Sequence, residues 1–102
     1  VLVGHANQDP ERGEGIEAGI RGLLSNARLQ DVRPLRPGGD PIEATVDWPR
    51  VSPPRQRVGY VLPSLDWDVV GAGVAWPLGG TDGELAATAS RHRPVWVDLS
   101  LP

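Results

Sequence analysis

Residues 1–10 read VLVGHANQDP. Three apolar residues and a glycine run into a polar, asparagine-bearing turn that closes on Asp9-Pro10. The apolar run predicts a buried strand over Val1–Val3, too short to show alternation. Gly4–Gly13 then reads as a polar loop, so the strand delivers a short stretch of chemistry at its end. Its central polar residue is His5, where an acid would be expected to hold a metal or activate water.

Working outward, the next signal is helical. Ile16, Ile20, Leu23 and Leu24 fall on one face at a period of 3.6. Glu14 and Glu17 near the start and Arg21 and Arg28 near the end suit the helix macrodipole, and Ser25-Asn26 can end the helix. Gly15, Gly19 and Gly22 each weaken it by about 1 kcal/mol relative to alanine, so it depends on packing. From Asp31 to Pro54 the chain carries six prolines and a Gly-Gly. That predicts a long loop with only a short strand near Ala44–Val46, and loops of this length are usually functional or mobile.

The last third reads as strands and turns. RVGYVL over Arg57–Leu62 is a strand closed by Pro63-Ser64. DVVGAGVAW over Asp68–Trp76 is another, with Val70, Ala72, Val74 and Trp76 on one face. Gly71 and Gly73 on its other face predict a bulge or a close neighbour. Pro77–Asp82 reads as a glycine-rich turn and Glu84–Ala89 as a helical turn. In PVWVDLSL, Val95, Val97, Leu99 and Leu101 alternate with Trp96, Asp98 and Ser100, the pattern of a half-buried strand. Short connections favour antiparallel neighbours. The expected fold class is α/β: one small, mostly antiparallel sheet with one main helix on a face.

Composition narrows the function classes. At 102 residues the chain is one domain at most. There is no cysteine, which removes disulfides, thiolate metal sites and a cysteine nucleophile. The net charge of −3, with ten arginines and no lysine, does not indicate nucleic acid or acidic membranes. No apolar run is long enough to span a bilayer, and nothing fixes a compartment. The chain begins without methionine inside an apolar strand, which reads as a piece of something longer. With Phe and Met absent, the four tryptophans are expected to supply much of the core bulk.

Three stretches carry a resemblance: VGHANQDP at a strand end, RVGYVLPS, and SRHRPVWVDL. In that order, with VVGAGVAWP before the last, they resemble the carboxy-terminal part of the endonuclease/exonuclease/phosphatase family, the deoxyribonuclease-I-like phosphodiesterases and phosphatases. The family patterns are Gly-Asp-x-Asn, Arg-x-Asp-Tyr-Val and Ser-Asp-His followed by a strand. The three aspartates are replaced here by His5, Gly59 and Arg91, while Asn7, Arg57, Tyr60 and His92 are kept. The resemblance implies a single unit over residues 1–102, the carboxy-terminal segment of a larger domain and half of a four-layer sandwich.

It also implies Mg²⁺ for the family, an acid that activates water, a histidine that steadies phosphate and a carboxylate that orients the histidine. No metal ligand set is assigned in this chain, and no cofactor. Water at neutral pH is a poor nucleophile without a base or a metal, and Mg²⁺ prefers oxygen ligands. The candidate catalytic residues are Asn7, His92 and His5. The candidate phosphate-binding residues are Asn7, Arg91 and His92, with arginine suited to gripping an oxyanion. Each has a plainer reading. Asn7 is a natural turn residue, His92 belongs to a basic surface cluster, and His5 is a polar strand-end residue. The other chemical readings of His5 are a metal ligand and an acid/base pair with His92. Trp48, Trp76 and Trp96 read as packing, and Arg55 and Arg57 as a solvated strand edge.

The expected function is therefore a fragment of a metal-dependent phosphohydrolase-like protein, inactive as this chain stands. The alternatives are a degenerate phosphate- or protein-binding domain, or a purely structural half. The expected partners are a phosphate-containing ligand and either a second copy, as a symmetric dimer, or the amino-terminal half.

Overall fold

The computed structural model describes residues 1–13, 15, 17–35 and 43–102. Over these the chain is a small α/β unit with two helices and three two-stranded antiparallel sheets, rather than the single sheet expected. The strands are β1 (Leu2–His5), β2 (Val46–Asp47), β3 (Arg55–Gln56), β4 (Gly59–Leu62), β5 (Asp68–Val74) and β6 (Val95–Ser100). The helices are α1 (Ala18–Leu24) and α2 (Gly80–Ala89). No helix among the described residues is long and apolar enough to cross a membrane. Proline fragments the ladders: Pro63 follows β4 and Pro94 precedes β6, and a residue without an amide proton cannot extend a ladder.

β1 lies antiparallel to β4, with Leu2 opposite Leu62 and His5 opposite Gly59. The opening strand forms, but over Leu2–His5 and not Val1–Val3, which takes Gly4 and His5 out of the expected loop, and it is not buried. It has one neighbour, β4, and all four of its residues are exposed. α1 covers one face of β4. Ile20 packs with Tyr60 and Leu62, which are two apart on the strand and so share a face, and Leu23, Leu24 and Leu29 close the cluster. The Ser25 amide ends the helix on the Arg21 carbonyl, as the sequence predicts. Glu14 and Ile16, expected near the helix start, lie outside the described residues, as does part of the predicted long loop (36–42).

The strand expected over Arg57–Leu62 begins only at Gly59, for a physical reason. The Arg57 amide donates to Asp9 Oδ2 at 2.6 Å, and the Val58 and Gly59 amides both donate to Thr45 Oγ1 at 2.9 Å. Side chains thus take the protons that a neighbouring strand would have taken. Arg57 is not at a solvated edge either. It is 3% exposed, its guanidinium bonds Asp31 at 2.6 Å and its charge lies 4.8 Å over the Tyr60 ring. Arg55 is half-buried, 3.9 Å from the Asp47 carboxylate.

β5 and β6 pair from Asp68–Ser100 to Val74–Val95, with a slip between Val69 and Gly71. The slip pushes Val70 outward to 68% exposure, so it does not share the inner face with Val74 and Trp76. Both glycine expectations find a cause. The irregularity falls beside Gly71, and the Trp96 ring lies 2.7 Å from where a Cβ on Gly73 would sit. β6 is half-buried with period two, as predicted. α2 is longer than the expected helical turn, absorbs residues 80–82 of the expected glycine-rich turn, and buries none of its residues. A second cluster joins Ala44, Val74 and Trp76 with Val95. Of the four tryptophans only Trp76 is buried, so aliphatic residues supply more of the core than expected.

Candidate functional site

The site grows from the turn after β1. The Ala6 amide donates to the Val58 carbonyl at 2.8 Å, one step past the ladder. Asn7 then takes a φ of 52°, the left-handed region that asparagine tolerates, and the chain turns. Asp9 locks the turn. Its buried carboxylate accepts the Glu11 and Arg12 amides on Oδ1 (2.8 and 2.9 Å) and the Arg57 amide on Oδ2. The Tyr60 hydroxyl lies 2.7 Å from the carbonyls of both Gln8 and Arg57. Burial pushes its pKa up, so it stays protonated and able to donate. The loop is thereby fixed to the start of β4 from both sides.

A second segment arrives from the other end of the chain. Residues 45–47 form a central strip. On one flank the Thr45 amide donates to the Gln56 carbonyl at 2.9 Å. On the other, the Asp47 amide donates to the Arg91 carbonyl at 3.0 Å and the Arg93 amide to the Thr45 carbonyl at 2.8 Å, with Val46 opposite His92. The His92 amide also donates to Ser90 Oγ at 3.1 Å. These bonds set the imidazole of His92 against that of His5, with ring centroids 4.4 Å apart and planes inclined at 47°. The Trp48 indole meets His92 edge-on at 5.8 Å.

Positions 5, 59 and 92 therefore share one open hollow of about 310 Å³, bordered also by Ser90, Arg93 and Val95. His5 and His92 are in direct contact. Asn7 is exposed and borders an adjoining hollow with Trp48, Val51 and Gln56, so the Trp48 ring is the element common to Asn7 and His92. Arg91 contributes its backbone to the strip and carries an exposed side chain. Arg93 is committed elsewhere: it donates to the Ser90 carbonyl at 2.6 Å and its charge lies 4.8 Å over the Trp76 ring. Burial, and then the neighbouring His5, hold the His92 pKa below its ordinary value, which favours neutral imidazole.

Two residues that build the site were not singled out as site residues in the sequence. Thr45 carries no local signal, since its hydroxyl acts on amides thirteen and fourteen positions away. Trp48 reads as packing, and only the fold brings it onto His92. Among the described residues no group of three or more His, Cys, Asp or Glu side chains is placed to hold a metal. The donors at positions 5, 59 and 92 are two imidazoles and a glycine. A hard cation such as Mg²⁺, which takes oxygen ligands in octahedral geometry, does not fit this set. Comparison with protein-family models, with curated proteins and with solved structures returns no match to this chain.

Proposed function

We propose that this chain is a phosphohydrolase-like domain segment that binds a phosphate-bearing ligand without cleaving it. The observation that supports the reading most is the meeting of positions 5, 59 and 92. They are distant in the sequence, each stands where the resembled family carries an aspartate or its neighbouring histidine, and they share one hollow. No carboxylate stands at any of the three to repel an oxyanion.

The ligand's phosphate would be met by the imidazole of His92, the exposed guanidinium of Arg91 and the side-chain amide of Asn7. Arginine supplies a planar fork of donors for phosphate oxygens. Hydrolysis needs more. A base or a metal-bound hydroxide must generate the nucleophile, and the site offers only two imidazoles pressed together. A phosphate bonded between two imidazoles would hold the ring centres apart by roughly 7 Å or more, given donor–acceptor distances near 2.8 Å. The observed 4.4 Å leaves no such gap. An acid/base pair acting across a substrate is therefore disfavoured, and binding at the outer side of His92 is favoured.

The test has two parts. An NMR titration with inorganic phosphate and phenyl phosphate is expected to shift the amides and side chains of Asn7, Arg91 and His92 together. Unmoved signals at these three residues would remove the site. In parallel, an aryl phosphate and an aryl phosphodiester with Mg²⁺ or Mn²⁺ are expected to give no turnover. Turnover that disappears in His92→Ala would show the chain to be an enzyme and end the non-catalytic reading.

A further inference from the structure

We propose that His5 and His92 form a two-imidazole clamp for a borderline divalent cation, with Cu²⁺ preferred over Ni²⁺ and Zn²⁺ and with Mg²⁺ rejected. The two residues come from distant parts of the chain, and the backbone of each is held in place. His5 is held opposite Gly59 in the β1–β4 ladder, where the partner position has no side chain to interpose. His92 is held by the bridge to Val46 and by the bond from its amide to Ser90 Oγ.

The separation suits a metal better than it suits a substrate. With metal–nitrogen bonds of about 2.0–2.1 Å, a cation bound to two imidazoles sits about 3.2 Å from each ring centre. Ring centres then lie about 4.5 Å apart for a right-angled pair and about 5.2 Å for a tetrahedral one. The observed centroid distance is 4.4 Å, close to the right-angled value. The nearest arginine along the chain towards β6, Arg93, is occupied by Trp76 and the Ser90 carbonyl.

Two nitrogen donors and no carboxylate decide the metal. Imidazole suits Cu²⁺, Ni²⁺ and Zn²⁺, and affinity rises along the divalent series to Cu²⁺. Solvent would complete the coordination, because two protein ligands leave the remaining positions open. The proposal goes beyond the phosphate reading and does not depend on it.

The experiment uses the full chain without a histidine tag, at pH 7.5 in a buffer free of phosphate. Calorimetric titration with Ni²⁺, Zn²⁺ and Mg²⁺ is expected to show one site for the first two and none for Mg²⁺. Electron paramagnetic resonance of the Cu²⁺ adduct is expected to show two imidazole nitrogens. His5→Ala and His92→Ala should each weaken Ni²⁺ binding at least tenfold. Unchanged affinity in both variants, a single coupled imidazole, or equal binding of Mg²⁺ would overturn the proposal. Should either variant fail to fold, a Zn²⁺ titration of the unmodified chain followed by NMR decides. Ring protons of His5 and His92 shifting together support the clamp, and a shift of only one, or of neither, refutes it.

Discussion

Asp9 shows how much a single side chain can hold in so small a unit. Its carboxylate is fully buried and satisfies three backbone amides, those of Glu11, Arg12 and Arg57. Two of these amides are local and shape the turn. The third is on the segment that leads into β4, so the same group closes the loop and fastens it to the sheet. Read in the sequence, Asp9-Pro10 is turn chemistry, with a ligand role as the lesser reading. The long-range bond to Arg57 has no local signature. Replacing Asp9 with alanine removes the acceptor of three donors, of which the Arg57 amide is buried and those of Glu11 and Arg12 are partly buried. With an unsatisfied buried group costing about 1–3 kcal/mol, and water able to reach the two partly buried amides, the expected loss is about 2–3 kcal/mol. Urea denaturation of Asp9→Ala followed by tryptophan fluorescence measures it. A loss below about 1 kcal/mol would show that water replaces the carboxylate without penalty and that the loop is not pinned there.

At the scale of elements, the β5–β6 ribbon and α2 behave oppositely. The ribbon is stitched by a specific fit: the Trp96 ring lies flat enough over the backbone that a Cβ at Gly73 would sit 2.7 Å from it. Gly73→Ala must push that ring off the strand, although the strand φ suits alanine. The expected cost is about 1–2 kcal/mol, in the range of overpacking. Trp96→Ala should remove most of the penalty when combined with it, because the ring is then no longer there to be displaced. Equal penalties for Gly73→Ala with and without Trp96 would place the conflict elsewhere. The period-two pattern of residues 95–100 and the paired glycines made this ribbon legible in the sequence, since both signals are local and repeat along the strand. The strip at 45–47 was legible only as a short strand. Its role depends on amides from residues 56–59 and 91–93, and a single sequence cannot show which distant strands converge. The same limit applies to the site: His5 and His92 were readable as candidates, but their contact, and the part played by Thr45, arise only from the fold. α2 was underestimated because no apolar stripe marks it, and the structure shows why: none of its residues is buried, so nothing selected one.

For the whole molecule, the decisive feature is the contrast between two of its sheet margins, those of β5 and β1. β5 begins at Asp68 and carries an irregularity at Val70, and a charge and a bulge are devices that discourage edge pairing. β1 has neither. It carries no Asp, Glu or Arg, and among the described residues its outer edge has no partner. Val1, Leu2 and Val3 are 58%, 47% and 68% exposed. Apolar surface gathered on an unpaired edge favours pairing with another strand, and a second copy offers the same edge by symmetry. Antiparallel pairing of β1 with its equivalent would give a continuous β4–β1–β1–β4 sheet and cover this apolar margin. That differs from the face-to-face dimer that the sequence pattern of the last two strands would favour, because Val70 and Trp96 stand beside Asp98 on a ribbon whose edge is already guarded. The prediction is a concentration-dependent dimer in sedimentation velocity at tens to hundreds of micromolar, abolished by Val3→Lys and unaffected by Val70→Lys. Val3→Lys places a charge on the open edge without touching either buried cluster, so its circular dichroism should match the parent chain. A monomer at the highest concentration would show that β1 is left unpaired in solution. Loss of dimer with Val70→Lys instead would move the interface to the ribbon and restore the face-to-face arrangement.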